Sequence, residues 1–529
     1  MNYSLVCRLL GIVAWMIGGT MLFSVPWAWP ALGGQSEVET EGIFALLGAT
    51  CVCLIVGFGL RKMGRHNHGA FFRKEAMAIV GLSWVLATIL GALPFYFAGT
   101  GYKWADEAQG IAQPMTLIDC MFESQSGFST TGATVLTDVQ NVDLVPRCIL
   151  FWRSSTHFLG GLGIIVLFVA VLGHGSAGKA LMRAEMPGPN KEGSQERMQH
   201  TAWIFAAIYV VLNVVLCGIL MFEEMDLFDA ICHAVGTMAT GGFSTYNDSI
   251  GHFKSPVIDY TITLFMVLAG TNFTLLYFVF IGQPGRLFSD VEWRTYFAVI
   301  LLFTGMLVIF AVSWYRDFDR NGIIPFNDEL AVAFRFTLFQ VVSILTTTGY
   351  GTHDFDSWNN FGRVALFLLM FVGGCAGSTG GGLKVIRHIL FVKILGLEIE
   401  QSFHPSVVRH LRIGGDPLTD SSLRKQILLY FSLIAFIFML SWVVLVAIED
   451  DATWFGGDNP LGNKLVDSAS AVAATLNNIG PGLGTVGTTE NYAEFNSGSK
   501  LLFIFLMMLG RLELFAILVL LIPSFWRQR

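Results

Sequence analysis

Thr346-Thr-Thr-Gly-Tyr-Gly351 is one of four short Gly-containing turns that recur along the chain. The others are Ser129-Thr-Thr-Gly-Ala-Thr134, Met238-Ala-Thr-Gly-Gly-Phe243 and Asn477-Asn-Ile-Gly-Pro-Gly482. Aligned on one glycine each (Gly132, Gly241, Gly349, Gly480) they are separated by 109, 108 and 131 residues. Asp119, Asp229 and Asp467 stand 13, 12 and 13 residues before their glycines. Each turn follows a semi-apolar stretch of about 10–14 residues, too short to cross a bilayer, and a longer apolar run lies on either side. Repetition on this scale sets an architecture. Each unit reads as helix, short re-entrant helix, Gly-rich turn, helix, an M1–P–M2 pattern occurring four times.

Composition places these units in a membrane. Of 529 residues, 53% are hydrophobic and only 13% charged, with 45 Phe, 13 Trp and a mean hydropathy of +0.60. A soluble domain carries roughly 25% charged residues. The shortfall excludes an ordinary soluble enzyme, a disordered chain and a nucleic-acid binder with a basic face; the lipid bilayer is the main solvent. Ten runs are apolar enough to cross it: 5–30, 43–60, 76–98, 148–172, 202–222, 257–281, 296–315, 364–392, 427–448 and 501–526. The run from Leu9 to Leu32 exceeds the apolar core of a cleavable signal and reads as a retained anchor. Loops 61–74, 173–200, 282–294 and 383–425 hold 18 Lys and Arg, whereas the opposite connections hold half as many, Lys103, Arg316, Arg320 and Lys464 among them, beside many acids. The positive-inside rule then puts both termini in the cytoplasm. The expected fold is an all-α polytopic membrane protein: four repeats around one pseudo-fourfold pore, plus two extra N-terminal transmembrane helices. The expected boundaries are an N-terminal two-helix unit at 1–70 and repeats at 71–180, 198–285, 294–395 and 420–529.

Irregular backbone at membrane depth is tolerable only when buried in protein or lining a water-filled path. The third turn, TTGYG, differs at one position from TVGYG, the sequence whose backbone carbonyls form potassium-channel filters. Carbonyl oxygens can replace the hydration shell of a dehydrating cation, and glycine permits the left-handed backbone that aims a neighbouring carbonyl at an axis. The candidate K+-binding residues are therefore Thr130, Thr131 and Gly132; Ala239, Thr240 and Gly241; Thr347, Thr348 and Gly349; and Asn478, Ile479 and Gly480.

Other residues point to a barrier. Gly373-Gly-Cys-Ala-Gly-Ser-Thr-Gly-Gly-Gly-Leu-Lys384 interrupts the run 364–392. A phosphate loop needs a hydroxyl residue directly after its lysine, and Val385 follows Lys384. Glycines in mid-membrane fit an unwound segment facing an aqueous cavity, a gate built on Gly377, Ser378, Thr379, Gly380, Gly381 and Gly382; close helix packing of small residues is the alternative. Arg511 lies deep in the last run, where a cation is costly and usually functional. It would repel K+ near the path, or pair with a carboxylate such as Glu513 or one on another helix. Arg153 reads as an anchor at the outer side. Asp138, Asp143, Asp248, Asp354 and Asp356 follow the turns and could concentrate cations at the mouth, or be ordinary loop charge. The eight cysteines lie mostly in or beside apolar runs and read as small core residues. The 11 histidines form no ligand cluster, and no nucleophile–base spacing supports catalysis.

Taken together, SGFSTTGAT (126–134), FWRSSTHFLGGLGIIVL (151–167), MATGGFSTY (238–246), LTTTGYG (345–351), GGCAGSTGGGLK (373–384) and GRLELF (510–515) resemble the Trk/Ktr/HKT superfamily of potassium transporters, most closely the Trk system membrane subunit (TrkH/TrkG type). The resemblance covers about residue 70 to the C-terminus, and the N-terminal pair of runs looks like the additional pair of the Trk type. It implies K+ as transported ion, no organic cofactor, four units forming one pore, a homodimer in a bacterial inner membrane, and a cytosolic nucleotide-binding regulatory subunit (TrkA-like). It also implies that the aligned glycines favour K+ over Na+ and that the last-helix arginine joins the barrier. The fourth turn departs from the pattern: it contains Pro481 and lacks the threonine pair. Three alternatives stand beside this reading. A secondary transporter of another solute predicts inverted repeats. A membrane-embedded enzyme predicts clustered ligands or a nucleophile near a base. A potassium-binding subunit of a Kdp-like pump needs partner subunits for ATP hydrolysis.

Overall fold

The computed structural model of the chain describes every residue except 34–36, 66–72, 107–110, 164–194, 319–325, 406–410, 414–415, 419–420, 455–459, 513 and 528–529. The N-terminal pair, α1 (Tyr3–Met21) and α2 (Thr40–Met63), packs through small residues. A Cβ on Gly11 would meet the Gly57 carbonyl oxygen at 2.6 Å, and Thr50 donates to the Gly18 carbonyl at 3.2 Å. Backbones approach this closely only where side chains are absent or short. The helix α3 (Arg73–Phe97) packs against both, and a short hairpin, β1 (Gly101–Asp106) with β2 (Ile111–Pro114), leads to the first short helix.

Thereafter helices of 8 to 28 residues follow one another. In order come α4 (Leu117–Phe128), α5 (Arg147–Leu162), α6 (Gln195–Phe222), α7 (Leu227–Met238), α8 (Pro256–Ala269), α9 (Phe273–Phe280), α10 (Val291–Phe318), α11 (Phe326–Leu345), α12 (Asn360–Leu369), α13 (Val385–Phe403), α14 (Ser421–Ile448), α15 (Pro460–Leu476) and α16 (Ser497–Arg511). Among the described residues six helices are long and apolar enough to cross a membrane, or eight if two bent pairs each count as one span. The expected run 148–172 is represented by α5, and its remainder from 164 lies outside the described residues. The run 364–392 is broken, as its glycines dictate: α12 ends at Leu369 and α13 begins at Val385. Two breaks differ from the expected runs. The run 257–281 bends by 106° between α8 and α9, at Gly270-Thr271-Asn272, and the run 501–526 bends by 119° between α16 and the helical turns Phe515–Leu521.

The helices α4 and α7 have 12 residues each, about 18 Å at 1.5 Å per residue, little more than half a bilayer core. Their starts are capped. Thr116 and Asp119 form a reciprocal capping box on α4, and Asp226 caps α7, satisfying N–H groups that a helix start leaves without partners. Phe122, Phe128, Trp152, Phe228 and Phe339 are buried around these helices. On α14 the outward stripe Leu429, Phe436, Leu440 and Val443 is exposed, the apolar face a lipid-bathed helix presents.

Candidate functional site

The helices before the four turns, α4, α7, α11 and α15, end in the same way, although α11 and α15 have 20 and 17 residues and exceed the short stretch expected there. Thr130, Thr240, Thr347 and Asn478 adopt left-handed backbone, with φ of 52°, 55°, 60° and 56°. The next residue's N–H reaches back five residues: Thr131 to Ser126 (2.9 Å), Gly241 to Gly236 (2.8 Å), Thr348 to Ser343 (2.8 Å) and Ile479 to Ala474 (2.8 Å). This is the Schellman ending, which satisfies otherwise orphaned carbonyls. A left-handed non-glycine residue costs about 1–2 kcal/mol, and here three threonines and an asparagine bear it. Two residues further on, Gly132, Gly242, Gly349 and Gly480 are again left-handed, with φ of 81°, 77°, 80° and 97°.

The backbone pattern corrects the sequence alignment in the second turn. Gly242, not Gly241, is the counterpart of Gly132, Gly349 and Gly480. Gly241 takes the place of Thr131, Thr348 and Ile479, and Ala239 that of Ser129, Thr346 and Asn477, the helix C-caps. The expected triplet Ala239–Gly241 therefore shifts by one to Thr240–Gly242. Two adjacent glycines made the sequence ambiguous; the five-residue hydrogen bond to Gly236 resolves it.

The turns stand in a closed ring. A Cβ on Gly132 would overlap the Gly241 carbonyl oxygen; on Gly242, that of Thr348; on Gly349, that of Ile479; and on Gly480, that of Thr131. The order runs first, second, third, fourth and back to the first, always between equivalent positions. Glycine is required here twice over, by the sign of φ and by the neighbouring backbone. The fourth turn, without a threonine pair, is tied in by an amide: Asn478 Nδ2 donates to Thr131 Oγ1 at 3.0 Å and to the Met507 carbonyl at 2.9 Å. Tyr492 Oη donates to the Gly480 carbonyl at 2.9 Å.

A polar layer behind the ring holds the outgoing strands, and its key is a position that the motifs did not flag. Eight residues before Thr131, Gly241 and Thr348 stand Glu123, His233 and Gln340. Glu123 accepts from Thr134 Oγ1 (2.9 Å) and the Val135 N–H (3.1 Å); His233 Nε2 lies 2.9 Å from Ser244 Oγ; Gln340 Nε2 donates to the His353 carbonyl at 3.2 Å. The fourth place is Ala471, and Ser470 and Asp467 substitute by accepting the N–H groups of Leu483 (2.8 Å) and Thr485 (3.1 Å). Arg153 belongs to this layer and not to the outer surface. It is 2% exposed, its Nε donates to Glu123 at 2.5 Å and its Nη1 to the Ser244 carbonyl at 3.0 Å, and its guanidinium lies 3.5 Å over the Phe243 ring. One ion pair thus joins the first turn to the second. The three spaced aspartates have related roles. Asp119 accepts from Lys500 Nζ at 2.6 Å, Asp229 from Thr245 Oγ1 and Tyr246 Oη at 2.7 Å each, and Asp467 from Thr485. Of the outer acids, Asp356 accepts the Gly484 N–H at 2.9 Å and Asp138 accepts from Asn247 at 2.9 Å, so both tie loops together.

Cavities open on both sides of the ring. The outer one, about 80 Å³, is lined by the four left-handed glycines and the residues that follow them. The other, about 100 Å³, is lined by Gly161, Tyr209, Phe273, residues 377–382, Lys384 and Arg511. The unwound segment 373–384 crosses beside this second cavity. Gly381 N–H donates to Thr347 Oγ1 at 2.7 Å, which couples the segment directly to the third turn. Arg511 Nη1 donates to the Thr379 carbonyl at 2.6 Å and Nη2 to that of Gly160, so the guanidinium bridges the segment and the end of α5. Glu513 lies outside the described residues. The break at 270–272 is matched to the same segment: the Ala269 and Gly270 carbonyls accept the N–H groups of Thr379 (3.3 Å) and Cys375 (2.9 Å), and Phe273 N–H donates to Gly377 at 3.0 Å. Two interrupted helices thereby satisfy each other's freed backbone groups, the condition for irregular backbone at this depth.

Comparison with known proteins finds similarity along the whole chain. Residues 47–528 match the family model of TrkH, described as a cation transport protein. The Trk system potassium uptake protein TrkH of Escherichia coli K12 is 36% identical over 532 residues, covering 100% of both chains. TrkG of the same strain is 31% identical over 526 residues, covering 99% of this chain and 98% of its own. The crystal structure of the potassium transporter TrkH from Vibrio parahaemolyticus matches with a TM-score of 0.81 at 30% identity, covering 100% of each chain. With so much of its length matched, in sequence and in fold alike, the chain belongs to the TrkH family of cation transport proteins.

Proposed function

We propose that the protein is a potassium uptake protein, a transporter and not an enzyme, and that K+ passes through the ring of turns. The dehydrated ion is held by backbone carbonyls of Thr130–Gly132, Thr240–Gly242, Thr347–Gly349 and Asn478–Gly480. Main-chain oxygens at fixed spacing replace the water that the ion sheds. The observation that carries this reading is the closed cyclic order of the four turns, each glycine against the carbonyl of the next turn. The stretches 71–180, 198–285, 294–395 and 420–529 act as the four repeats, and 1–70 packs outside them. The segment 376–382 and Arg511 form the barrier on the side of the second cavity: the loop obstructs the path and the guanidinium opposes a cation there. The distribution of Lys and Arg supports cytoplasmic termini in the inner membrane of a bacterium. The relatives are potassium uptake proteins of a Trk system, and a system supports a regulatory partner; we take the protein to be a homodimer working with a cytosolic nucleotide-binding subunit of the TrkA type.

The test is ⁸⁶Rb+ uptake into liposomes containing the purified protein, with and without an imposed proton or sodium gradient. The expected result is uptake suppressed by excess K+ and not by equal Na+. Uptake equally sensitive to both ions would overturn the reading.

A further inference from the structure

The unwound segment is held at both limbs by one side chain. Glu292, in the first turn of α10, is 8% exposed, and a single carboxylate oxygen accepts the N–H of Ala376 at 2.8 Å and that of Ile386 at 3.0 Å. These donors are ten residues apart in sequence and lie on opposite limbs. Ala376 is at the entrance of the Gly-rich stretch. Ile386 is in the first turn of α13, where N–H groups have no acceptor within the helix and a negative charge is favoured. Between the limbs the base is already narrow: Gly373 N–H donates to Leu383 at 2.7 Å and Val385 N–H to Gly374 at 3.2 Å. The bonds from the segment to Ala269 and Gly270 are between neutral groups, whereas a carboxylate acceptor makes each bond roughly twice as strong.

We propose that Glu292 is the latch of this segment: a positioning residue whose carboxylate pins both limbs and so keeps residues 376–382 beside the cavity. The inference rests on the reading of 376–382 as a gate and supplies what holds that gate closed. Removing the carboxylate frees both limbs at once, because the same oxygen serves both.

Two readouts on the full-length protein in liposomes separate the latch from the gate. The first is the rate at which a water-soluble thiol reagent modifies Cys375, which is 1% exposed and sits beside Ala376, with the other seven cysteines replaced by alanine or serine. The second is ⁸⁶Rb+ flux. In Glu292→Ala, modification of Cys375 is expected to accelerate about tenfold or more, since two hydrogen bonds to a charged group are lost and either alone is worth about that factor. Glu292→Gln, which keeps the shape and a neutral acceptor, falls between it and the parent and guards against a simple folding defect. Flux rises in the same order, and Glu292→Ala adds nothing to a variant shortened across 376–382. If the shortened variant conducts faster while both Glu292 variants match the parent in both readouts, the latch is overturned and the gate stands. Faster Cys375 modification with flux unchanged in every variant, the shortened one included, supports the latch and overturns the gate.

Discussion

Alanine at Gly242 and alanine at Gly241 have different consequences, and the difference tests the register of the second turn. Gly242 has a φ of 77°, and a Cβ there overlaps the Thr348 carbonyl oxygen of the neighbouring turn. Gly241 lies outside the left-handed region, and a Cβ on it meets the buried ring of His157 instead. At Gly242 the backbone strain is about 1–2 kcal/mol. Restoring a normal separation, about 3.5 Å between non-bonded heavy atoms, pushes the third turn outward by about 1.5 Å. That displacement exceeds the difference in radius between K+ and Na+, so the ring loses its fit to the larger ion. A tenfold loss of discrimination requires only about 1.4 kcal/mol. The assay is the ratio of ⁸⁶Rb+ to ²²Na+ flux in liposomes, with thermal unfolding measured in parallel. Gly242→Ala is expected to lower the ratio about tenfold or more. Gly241→Ala is expected to lose about 1–3 kcal/mol of stability by overpacking against His157, with a smaller change in the ratio. An unchanged ratio in Gly242→Ala together with a collapsed ratio in Gly241→Ala would refute the structural register and restore the alignment on Gly241.

Three further outcomes follow from the layer around the ring. Glu123→Gln leaves Arg153 buried without its counter-charge, a loss of about 3–5 kcal/mol, and should lower the unfolding temperature and the Rb+/Na+ ratio together; a variant as stable and as selective as the parent would remove the ion pair from the account. Asn478→Ala cuts the bonds to Thr131 and Met507, about 1 kcal/mol each, and should loosen selectivity at the seam of the fourth and first turns without abolishing transport, as flux ratios would show. Burial raises the Asp356 carboxyl to about 6; a raised carboxyl destabilises the fold fully above that pH, and the penalty lifts as pH falls toward the unfolded value. Asp356→Asn should therefore unfold at a higher temperature than the parent at pH 8, with the gap closing near pH 4.

Much of this site is legible in the sequence because glycine is chosen there by geometry that no other residue meets. The turns, their spacing and the broken run at 373–384 all announce themselves through glycine in apolar surroundings. The register of the second turn does not, since Gly241 and Gly242 are adjacent and only the five-residue hydrogen bond to Gly236 distinguishes them. The matching threonines Thr130, Thr240 and Thr347 carried that information, as did the polar residues eight positions before the next residue. Arg153 was misplaced for a different reason: charge rules report which side of the membrane a loop occupies, and say nothing about a cation paired inside the protein with Glu123, 30 residues earlier. The bend at Gly270–Asn272 was hidden within an unbroken apolar run. Its cause is tertiary, the need of the segment 373–384 for acceptors at Ala269 and Gly270.

The central claim is that main-chain oxygens from all four turns surround one ion. Crystals grown in Rb+, with anomalous scattering recorded at the rubidium edge, test it most directly. The account predicts a peak on the axis of the ring, within coordination distance of carbonyl oxygens from the first, second, third and fourth turns alike. A peak bound by side chains elsewhere, or by fewer than all four turns, would contradict it.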